Sequence, residues 1–373
     1  MEPVRVVIVG GGIGGLAAAL ALRCAGAQVD VYEQAPRLGE VGAGVALSPG
    51  SMRVLRRAGV AGEVSRRAAS LNMTGIRLPD GSVARQQSLG APGSHLGLYR
   101  PDLVEILAAA LPDGALHTGH RCVAFSQDAQ SAHVTFDNGV STEADVVVGA
   151  DGIHSVLQGN VTQPQPPVFS GRVAYRGVLP ADRIPGWPRD ESVLWNGHGK
   201  SFLTFPVRAG ELRNYVGFVP ADEQMRESWS APGDPAALAA EFSGWDARLG
   251  ELLSQVETTF RWGLYDRDPL PRWTHGRLTL LGDAAHAMLP HMGQGANQAI
   301  EDAMALATLI RGLSTGDVPD ALIRYEQLRR DRTALIQQGS RANGQRLDAG
   351  DAANMARPGT DDYDIEAEAE ARR

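Results

Sequence analysis

The sequence has few cysteines, no long run of basic residues and no long apolar run. Cys24 and Cys122 are the only cysteines in 373 residues, and each lies in an apolar segment, which predicts buried free thiols and not a disulfide or a metal site. The 43 acidic residues outnumber the 35 basic ones, so the formal charge of −8 argues against a nucleic acid or an anionic membrane as partner. These absences favour a protein of the reducing cytoplasm that binds small molecules.

The length and composition predict a large buried core. With 43% apolar residues, the chain exceeds the usual size of a single core and should form about two domains. The first predicted strand begins at Val4, which leaves no room for a signal peptide, and no run of about 18 apolar residues follows. We therefore expect a soluble cytoplasmic protein, either a monomer or a homodimer.

Residues 4–33 predict a strand, a glycine turn, a helix and a second strand. The apolar run at 6–9 suits a strand that is buried on both faces. Gly10, Gly12 and Gly15 have the G-x-G-x-x-G spacing, which permits a tight turn and a close approach of the backbone to a pyrophosphate. Glu33 ends the second strand, where a carboxylate can accept hydrogen bonds from a ribose. The unit favours dinucleotide binding, and the alternative is a structural turn with Glu33 as an ordinary surface charge.

A second glycine-containing loop lies within residues 277–302. An apolar run ends at Gly282 and Asp283, a loop with histidine, proline and glycine follows, and Gln294 opens an alanine-rich helix. Such a loop presents backbone N–H groups and a helix N-terminus to one point, which suits an anionic or electron-accepting ligand.

A glycine-rich segment, Arg100 and Asp151 each allow more than one interpretation. Glycines at 39, 42 and 44 precede Ala46, and they indicate either a backbone that lies against a flat ring or a flexible surface loop. Arg100 could contact a phosphate or simply be solvated near the start of a helix. Asp151 follows a buried strand at 144–150, where it could bind a cofactor group, cap a helix, or do both.

The composition changes near residue 164. Strand-like segments between 170 and 220, separated by glycine and proline, predict an inserted and mainly antiparallel sheet. Its aromatic residues could line an apolar pocket, although aromatic strand residues more often belong to the core; they are Tyr175, Trp195, Phe202, Phe205, Tyr215 and Phe218. Residues 319–355 predict a long helix, and the acidic, polar tail at 356–373 is predicted to be disordered.

Three motifs occur in one order: GGGIGG at 10–15, GADG at 149–152 and GRLTLLGDAAH at 276–286, followed by PHMGQGANQAIEDA. From residue 4 to about 345 the set resembles the class A flavoprotein monooxygenases of the p-hydroxybenzoate hydroxylase fold. It looks most similar to the branch of salicylate hydroxylase, 3-hydroxybenzoate 6-hydroxylase and 6-hydroxynicotinate 3-monooxygenase. The motifs are specific for this family but not for a substrate.

The resemblance implies an α/β fold in which a Rossmann-like FAD-binding domain carries an inserted, mainly antiparallel substrate domain. We expect the FAD-binding domain at 1–72, 96–168 and 270–318. The substrate domain is expected at 73–95 and 169–269, and the C-terminal helix at 319–355.

The resemblance also implies which residues bind FAD. Those that would hold its ADP half, centre and ribityl chain are Gly10, Gly12, Gly15, Glu33, Arg100, Asp151 and Asp283, of which Asp151 would also meet the reduced nicotinamide. Those that would surround the isoalloxazine are Pro290, Gly293, Gln294, Gly295, Ala296 and Asn297. Relatives lack a separate nicotinamide domain, so NADH or NADPH would bind transiently.

The implied reaction is a hydroxylation. Reduced FAD would react with molecular oxygen, and the flavin C4a-hydroperoxide would hydroxylate a phenolic or heteroaromatic substrate in a pocket that excludes water. Proton removal from a ring hydroxyl would activate the attacked carbon. The candidates for this chemistry are His291, Tyr215 and Arg176, with Pro290 beside the flavin; a histidine that only packs against the flavin loop is the alternative for His291.

One position departs from the family pattern. Several relatives carry histidine or glutamine after G-A-G-I, whereas Ala46 stands there in this sequence and cannot accept a proton. Either the base lies elsewhere or the substrate needs none, and a larger or less polar substrate is allowed. The predicted pocket residues are Ala46, Trp195, Phe202 and Phe205.

Two other functions share these features. A flavin-dependent epoxidase, or another oxygenase of a non-phenolic secondary metabolite, would have the same FAD motifs and differ only in the pocket. A non-oxygenating flavin reductase or a redox-responsive binding protein is disfavoured by the inserted aromatic domain.

Overall fold

A computed structural model describes residues 2–39, 42–221, 231–355 and 363–373. The strands are β1 (Arg5–Val9), β2 (Gln28–Tyr32), β3 (Gly44–Leu47), β4 (Ala69–Ser70), β5 (Met73–Arg77), β6 (Val83–Ser88), β7 (Leu96–Tyr99), β8 (Leu116–His117), β9 (Cys122–Gln127), β10 (Ala132–Phe136), β11 (Ser141–Ala144), β12 (Val146–Gly149), β13 (Val168–Pro180), β14 (Glu191–Gly197), β15 (Lys200–Val207), β16 (Leu212–Pro220), β17 (Pro232–Gly233), β18 (Thr259–Asp266), β19 (Thr274–His275) and β20 (Leu278–Leu280).

The helices are α1 (Ile13–Cys24), α2 (Pro49–Arg57), α3 (Ala61–Arg67), α4 (Arg100–Ala109), α5 (Pro235–Glu241), α6 (Ala247–Ser254), α7 (Asp283–His286), α8 (Gly295–Ile310), α9 (Val318–Asp348) and α10 (Ile365–Glu370). None of these described helices combines the length and the apolar character needed to cross a membrane.

A six-stranded sheet in the order β19-β20-β12-β1-β2-β8 forms the first layer, and it is parallel apart from β19. Val6 pairs with Val29 on one side and with Val146 on the other, so β1 lies in the interior of the sheet. Its valines are buried on both faces, as the continuous apolar run predicts. Helices α1 and α8 pack together against this sheet and bury most of their apolar residues. The carboxyl ends of β1, β12 and β20 therefore meet at one edge.

An eight-stranded sheet in the order β17-β18-β13-β16-β15-β14-β5-β6 forms the second layer. All its pairs are antiparallel except β14–β5, which is parallel. One face packs on α5 and α6 through a separate aromatic core, whose largest members are Trp195, Phe202, Tyr215 and Phe242. The other face is turned toward the first layer. The predicted α/β fold with an inserted, mainly antiparallel sheet is thus confirmed.

The C-terminal region corrects one prediction. Residues 356–373 are predicted to be disordered, but residues 363–373, the described part of that range, contain α10. Ile365 and Ala369 are buried in the main core, which explains why this short acidic helix is ordered. The acidic composition of this segment suggested disorder, although Ile365 and Ala369 are four residues apart and therefore lie on one helix face.

The cysteines also differ in part from prediction. Cys122 is buried, and burial raises the pKa of its thiol to about 11. Cys24, however, is exposed, because it occupies the last position of α1, beyond the face that packs on the core. Both thiols are free.

Candidate active site

The glycine turn between β1 and α1 is shaped by close backbone contacts. A Cβ on Gly10, whose φ is +113°, would lie 2.2 Å from the carbonyl oxygen of Ala150, and one on Gly15 would lie 2.0 Å from the Gly10 oxygen. Gly12, in contrast, faces open space and begins α1 without a side-chain cap. The N-terminus of α1 is therefore free to face an anionic group such as a pyrophosphate.

Glu33 lies beside this turn. Its carboxylate accepts a 2.7 Å hydrogen bond from the Gly11 backbone N–H and a 2.8 Å bond from that of Ala35. Each carboxylate oxygen can accept a further hydrogen bond. The position is compatible with the predicted contact to a ribose, which stays a prediction.

Asp151 lies between β12 and the short 3-10 helix Leu157–Asn160. Its Oδ2 accepts hydrogen bonds of 2.8 Å from Val156 N–H and 3.3 Å from Leu157 N–H, and burial raises the pKa of this carboxyl. The neighbouring Gly152 lines the main cavity, whereas Asp151 does not. Asp151 thus binds backbone N–H groups at the start of this helix without being its N-cap residue, and the predicted contacts with FAD and nicotinamide stay predictions.

One cavity of about 720 Å³ lies between the two layers, within the usual size range of ligand sites. Its first half is lined by the glycine turn and by the loop before α8; the lining residues there are Gly12, Ile13, Gly14, Arg100, Gly152, Gly282, Asp283, Pro290, Gly293, Gln294, Gly295 and Ala296. Asp283 starts α7 at the carboxyl end of β20 and is exposed. The structure thus brings most of the predicted cofactor residues to one cavity.

Asn297 has a different role from that of its neighbours. It is 1% exposed, and its Oδ1 accepts from the Ser48 N–H (2.9 Å) and from the Ser51 hydroxyl (2.7 Å). Its Nδ2 donates to the carbonyl oxygens of Ala46 and Gly293, both at 2.9 Å. Through these four bonds Asn297 joins β3, α2 and the loop before α8. It does not line the cavity, contrary to the prediction that it surrounds the isoalloxazine.

The glycines before Ala46 make room for side chains of the protein. A Cβ on Gly42 would lie 1.9 Å from the Tyr99 hydroxyl, and one on Gly44 would lie 2.7 Å from Phe205. Gly44 and Ala46 also line the cavity. The glycine-rich loop therefore brings β3 against β15 and β7, a packing role that neither predicted alternative, a flat ring or a flexible surface loop, included.

The second half of the cavity is formed by one face of the eight-stranded sheet. The lining residues of these strands are Thr74, Ile76, Arg85, Gln87, Arg176, Ser192, Leu194, Leu203, Phe205, Val216, Phe218 and Trp262. Along each strand the residues that line the cavity alternate with residues that do not, as the two-residue period requires. Of the aromatic residues predicted as possible pocket residues, Phe205 and Phe218 lie on this face.

Trp195, Phe202 and Tyr215 lie on the opposite face, so their prediction as pocket or catalytic residues is wrong. Trp195 Nε1 donates a 2.9 Å hydrogen bond to Asp246, and the ring of Phe202 stacks on that of Tyr215 at 6.1 Å. The Tyr215 hydroxyl donates to the Thr258 carbonyl, and burial raises its pKa to about 12. The strand register places them in the second core. Because Val193, Leu194 and Trp195 are all apolar, no polar–apolar alternation in the sequence distinguishes the two faces of this strand.

Arg176 lies on the cavity face of β13. Its guanidinium carbon is 3.5 Å from the ring centroid of Trp262 on the neighbouring strand, and the residue is 3% exposed. A planar guanidinium stacked on an indole is held in one orientation. Leu203, Val216 and Phe218 provide apolar walls around it.

His291 projects from the 3-10 turn Pro290–Met292 into the same half of the cavity. Its ring lies 5.3 Å from that of Phe218, and a Cβ on Gly344 of α9 would be only 2.8 Å from its Cδ2. Burial, aided by the positive charge of Arg172, lowers the pKa of His291 to about 4. The imidazole is therefore neutral near pH 7 and can accept a hydrogen bond. Pro290 lines the cavity but carries no titratable group.

Helix α9 closes the far side of the cavity, which the sequence did not indicate. Asn343 and Leu347 of this helix line it, together with Met355 beyond the helix end. No pattern in the predicted helix distinguishes these positions, because their role depends on how α9 crosses the sheet.

The residues present fit FAD, the cofactor implied by the resemblance. The free N-terminus of α1 at Gly12 suits a pyrophosphate, and the loop before α8 offers backbone donors and a second helix N-terminus. Both lie on one cavity that continues to the half lined by Arg176 and His291. The site thus has a cofactor half and a substrate half.

The chain is similar to known FAD-binding proteins and monooxygenases. The sequence matches the family described as FAD binding domain over residues 3–340. It is 39% identical to a 3-amino-4-hydroxybenzoate 2-monooxygenase of Streptomyces platensis over 348 residues, which cover 91% of this chain and 87% of that protein. It is 33% identical to a 6-hydroxynicotinate 3-monooxygenase of Bordetella bronchiseptica, with 91% of each chain covered. The solved structure of Klebsiella pneumoniae HpxO with FAD and uric acid has the same fold, with a TM-score of 0.84 and 28% sequence identity. The match covers 94% of this chain and 90% of the HpxO chain.

Proposed function

Because this chain belongs to the FAD binding domain family and is an FAD-dependent monooxygenase of aromatic compounds, we propose that its substrate is a hydroxylated aromatic carboxylate. In this proposal the carboxylate group of the substrate binds Arg176. Bound FAD would supply the redox chemistry of this reaction, namely acceptance of a hydride from NAD(P)H and activation of O2 for hydroxylation of the ring. The predicted family and cofactor are thereby confirmed, and the identity of the substrate is the point proposed here.

The observation that carries this proposal is the stacked guanidinium of Arg176 in the substrate half of the cavity. An arginine remains protonated at any ordinary pH and presents its donors in a fixed fork, which matches a carboxylate in two places. At a buried position such a charge favours an anionic ligand, since the low local dielectric strengthens the attraction. A neutral phenol would gain less from this group.

The substrates in the names of the relatives belong to the same chemical class as the proposed substrate. An aminohydroxybenzoate and a hydroxynicotinate each combine an aromatic ring, a ring hydroxyl and a carboxylate. The small side chain of Ala46 and the apolar wall of Leu203, Val216 and Phe218 leave room for a substituted ring of this kind. These walls also exclude water from the reacting carbon.

His291 is proposed to hold the ring hydroxyl. Its neutral imidazole can accept the hydroxyl proton in a hydrogen bond, which raises the electron density of the ring. A pKa of about 4 makes it a weak base, so its part is to orient and polarise the hydroxyl and not to remove the proton fully. Because Ala46 has no polar side chain, this role falls to the turn at Pro290–Met292.

For the cofactor we propose the arrangement implied by the family. Gly10, Gly12, Gly15 and Glu33 would hold the ADP half of FAD, Arg100 would contact the central region of FAD, and Asp283 would contact its ribityl chain. The N-terminus of α8, with Gly295 and Ala296, would face the flavin ring and would stabilise negative charge there.

The test compares matched substrates and one variant. We expect 3-amino-4-hydroxybenzoate and 6-hydroxynicotinate to stimulate NAD(P)H oxidation more than 2-aminophenol and 2-hydroxypyridine, which lack the carboxylate. Arg176→Met should raise the KM of the carboxylates about 10- to 100-fold, because a charge-assisted hydrogen bond contributes ~1.5–3 kcal/mol, while the KM of the decarboxylated compounds changes little.

The control is Arg261→Met, which removes an arginine from the neighbouring strand β18. Arg261 stacks on Tyr175 on the face away from the cavity, so its loss should leave both KM values unchanged. Product mass and a fluorescence titration of FAD show that hydroxylation and cofactor binding persist. Equal kcat/KM for a carboxylate and its decarboxylated partner in the wild-type enzyme would contradict the proposal.

A further inference from the structure

A buried ionic cluster lies behind the cofactor half of the cavity and joins α7, α8 and α9. At its centre is Arg329 of α9, which is fully buried. Its Nε donates a 2.7 Å hydrogen bond to Asp302, and its Nη1 donates a 3.1 Å bond to Glu301. None of the three residues lines the cavity, so any effect on the cofactor must pass through other residues.

One connection runs from Arg329 through Asp302 to the loop that carries Asp283. The second carboxylate oxygen of Asp302 accepts a 3.1 Å hydrogen bond from the Gly282 backbone N–H and lies 2.6 Å from His286 Nε2. Gly282 lines the cavity with a φ of +62°, in the region that favours glycine. Asp302 therefore fixes this turn from behind.

The other connection is a directed chain of side-chain amides. Arg329 Nη2 donates a 2.8 Å hydrogen bond to Gln298 Oε1, and Gln298 Nε2 donates a 3.1 Å bond to Gln294 Oε1. A guanidinium can only donate, so Gln298 must turn its oxygen to Arg329 and its nitrogen to Gln294. Gln294 lines the cavity, and because its Oε1 is turned toward Gln298, its Nε2 donor is the end of the amide turned away from Gln298.

We propose that Arg329 is a positioning residue for FAD, which acts through Gln298 to present the Gln294 amide as a hydrogen-bond donor to the flavin ring. A donor at the N-terminus of α8 favours the ring after reduction, when it carries more negative charge. The inference depends on FAD binding and not on the carboxylate substrate proposed above, so either can fail without the other.

The presence of a buried charge at Arg329, where apolar residues could also fill the space, supports a role in orienting the Gln298 and Gln294 amides. Buried ion pairs lose most of their attraction to desolvation, and apolar residues of similar volume often stabilise a core as well or better. Apolar packing, however, cannot set which end of an amide faces the cavity. The chain from Arg329 to Gln294 does so, because each donor fixes the orientation of the next acceptor.

The test reverses the amide with Gln298→Glu. A carboxylate at 298 can only accept, so Gln294 must donate its nitrogen to it and turn its oxygen toward the ring. We expect about tenfold weaker FAD binding. The two-electron midpoint potential of bound FAD should fall by ~30 mV, which corresponds to a tenfold change in the equilibrium constant. Both are measured without substrate, by fluorescence titration and by spectroscopic redox titration.

Two comparisons separate the relay from the added charge. Gln327→Glu adds the same charge on the exposed face of α9 and should shift neither quantity. In a Gln294→Ala background, Gln298→Glu should produce no further shift, because the amide that it reverses is gone. An equal shift in both backgrounds would assign the effect to charge and overturn the relay.

If Gln298→Glu does not fold, Gln298→Leu keeps most of the volume and releases the Gln294 amide. It should then lower the potential in the same direction by a smaller amount. Wild-type potential and FAD affinity in the folded Gln298→Leu or Gln298→Glu protein would also overturn the proposal.

Discussion

His291 is a residue whose surroundings decide its protonation. It is enclosed by Phe218, by Gly344 and by the wall of the cavity, and its pKa falls from the ordinary value of 6.5 to about 4. Between these values the unfolded chain binds a proton at this site that the folded protein does not bind. Protonation therefore favours unfolding, and stability should fall as the pH is lowered from about 6.5 to about 4.

Replacing His291 should remove this part of the pH dependence. We expect His291→Asn to reduce the slope of the unfolding free energy between pH 6.5 and pH 4.5 by up to ~1.4 kcal/mol per pH unit, the value for one proton. Urea unfolding with excess FAD measures it. His198→Asn, at an exposed position, should keep the wild-type slope. Equal slopes for all three proteins would show that His291 titrates normally in the fold.

At the scale of elements, the start of α8 depends on its attachment to β3 and α2. The Asn297 amide is the attachment, with four hydrogen bonds to Ala46, Gly293, Ser48 and Ser51. If the amide is removed, buried backbone donors and acceptors lose their partners, and each such loss costs about 1–3 kcal/mol. The cofactor half of the cavity would lose its shape together with the stability.

Asn297→Ala is therefore expected to lower the free energy of unfolding by about 3 kcal/mol or more and to weaken FAD binding. Thermal unfolding with and without FAD measures both effects. Asn138→Ala, in an exposed turn between β10 and β11, removes two side-chain hydrogen bonds and should cost less than about 1 kcal/mol. Similar losses for the two variants would mean that Asn297 does not hold α8 in place.

At the scale of the whole molecule, the end of the chain returns to the first layer. Ile365 and Ala369 of α10 pack in the main core, and α10 lies against α8. Polar contacts surround them: Arg53 donates to the Tyr363 carbonyl oxygen, and Arg57 pairs with Glu366 at 2.9 Å. The last described residues thus support the helix whose other end forms the cofactor site.

Ile365→Ala tests this support. Removing a buried isoleucine side chain should lower the free energy of unfolding by about 2–5 kcal/mol, through lost burial and the cavity that remains. Leu335→Ala, at a residue of α9 that is 65% exposed, should change it by less than about 0.5 kcal/mol. The urea midpoint compares the two variants. A wild-type midpoint for Ile365→Ala would show that α10 does not contribute to the core in solution.

The sequence by itself determined the cofactor, the fold class and the family. These depend on short-range patterns, because a glycine turn between a buried strand and a helix, or a G-D turn before a helix N-terminus, is specified by neighbouring residues. The comparisons confirm the FAD-dependent aromatic monooxygenase that these motifs implied.

Only the tertiary structure decided which side chains face the substrate. Trp195, Phe202 and Tyr215 belong to the second core and Leu194, Leu203 and Val216 to the cavity, because a strand alternates its faces and composition alone does not say which face is covered by α5 and α6. The hydrogen bonds of the Asn297 amide and the ionic cluster around Arg329 join residues that are far apart in sequence. Their hydrogen bonds exist only once the layers have packed, so no local pattern could predict them.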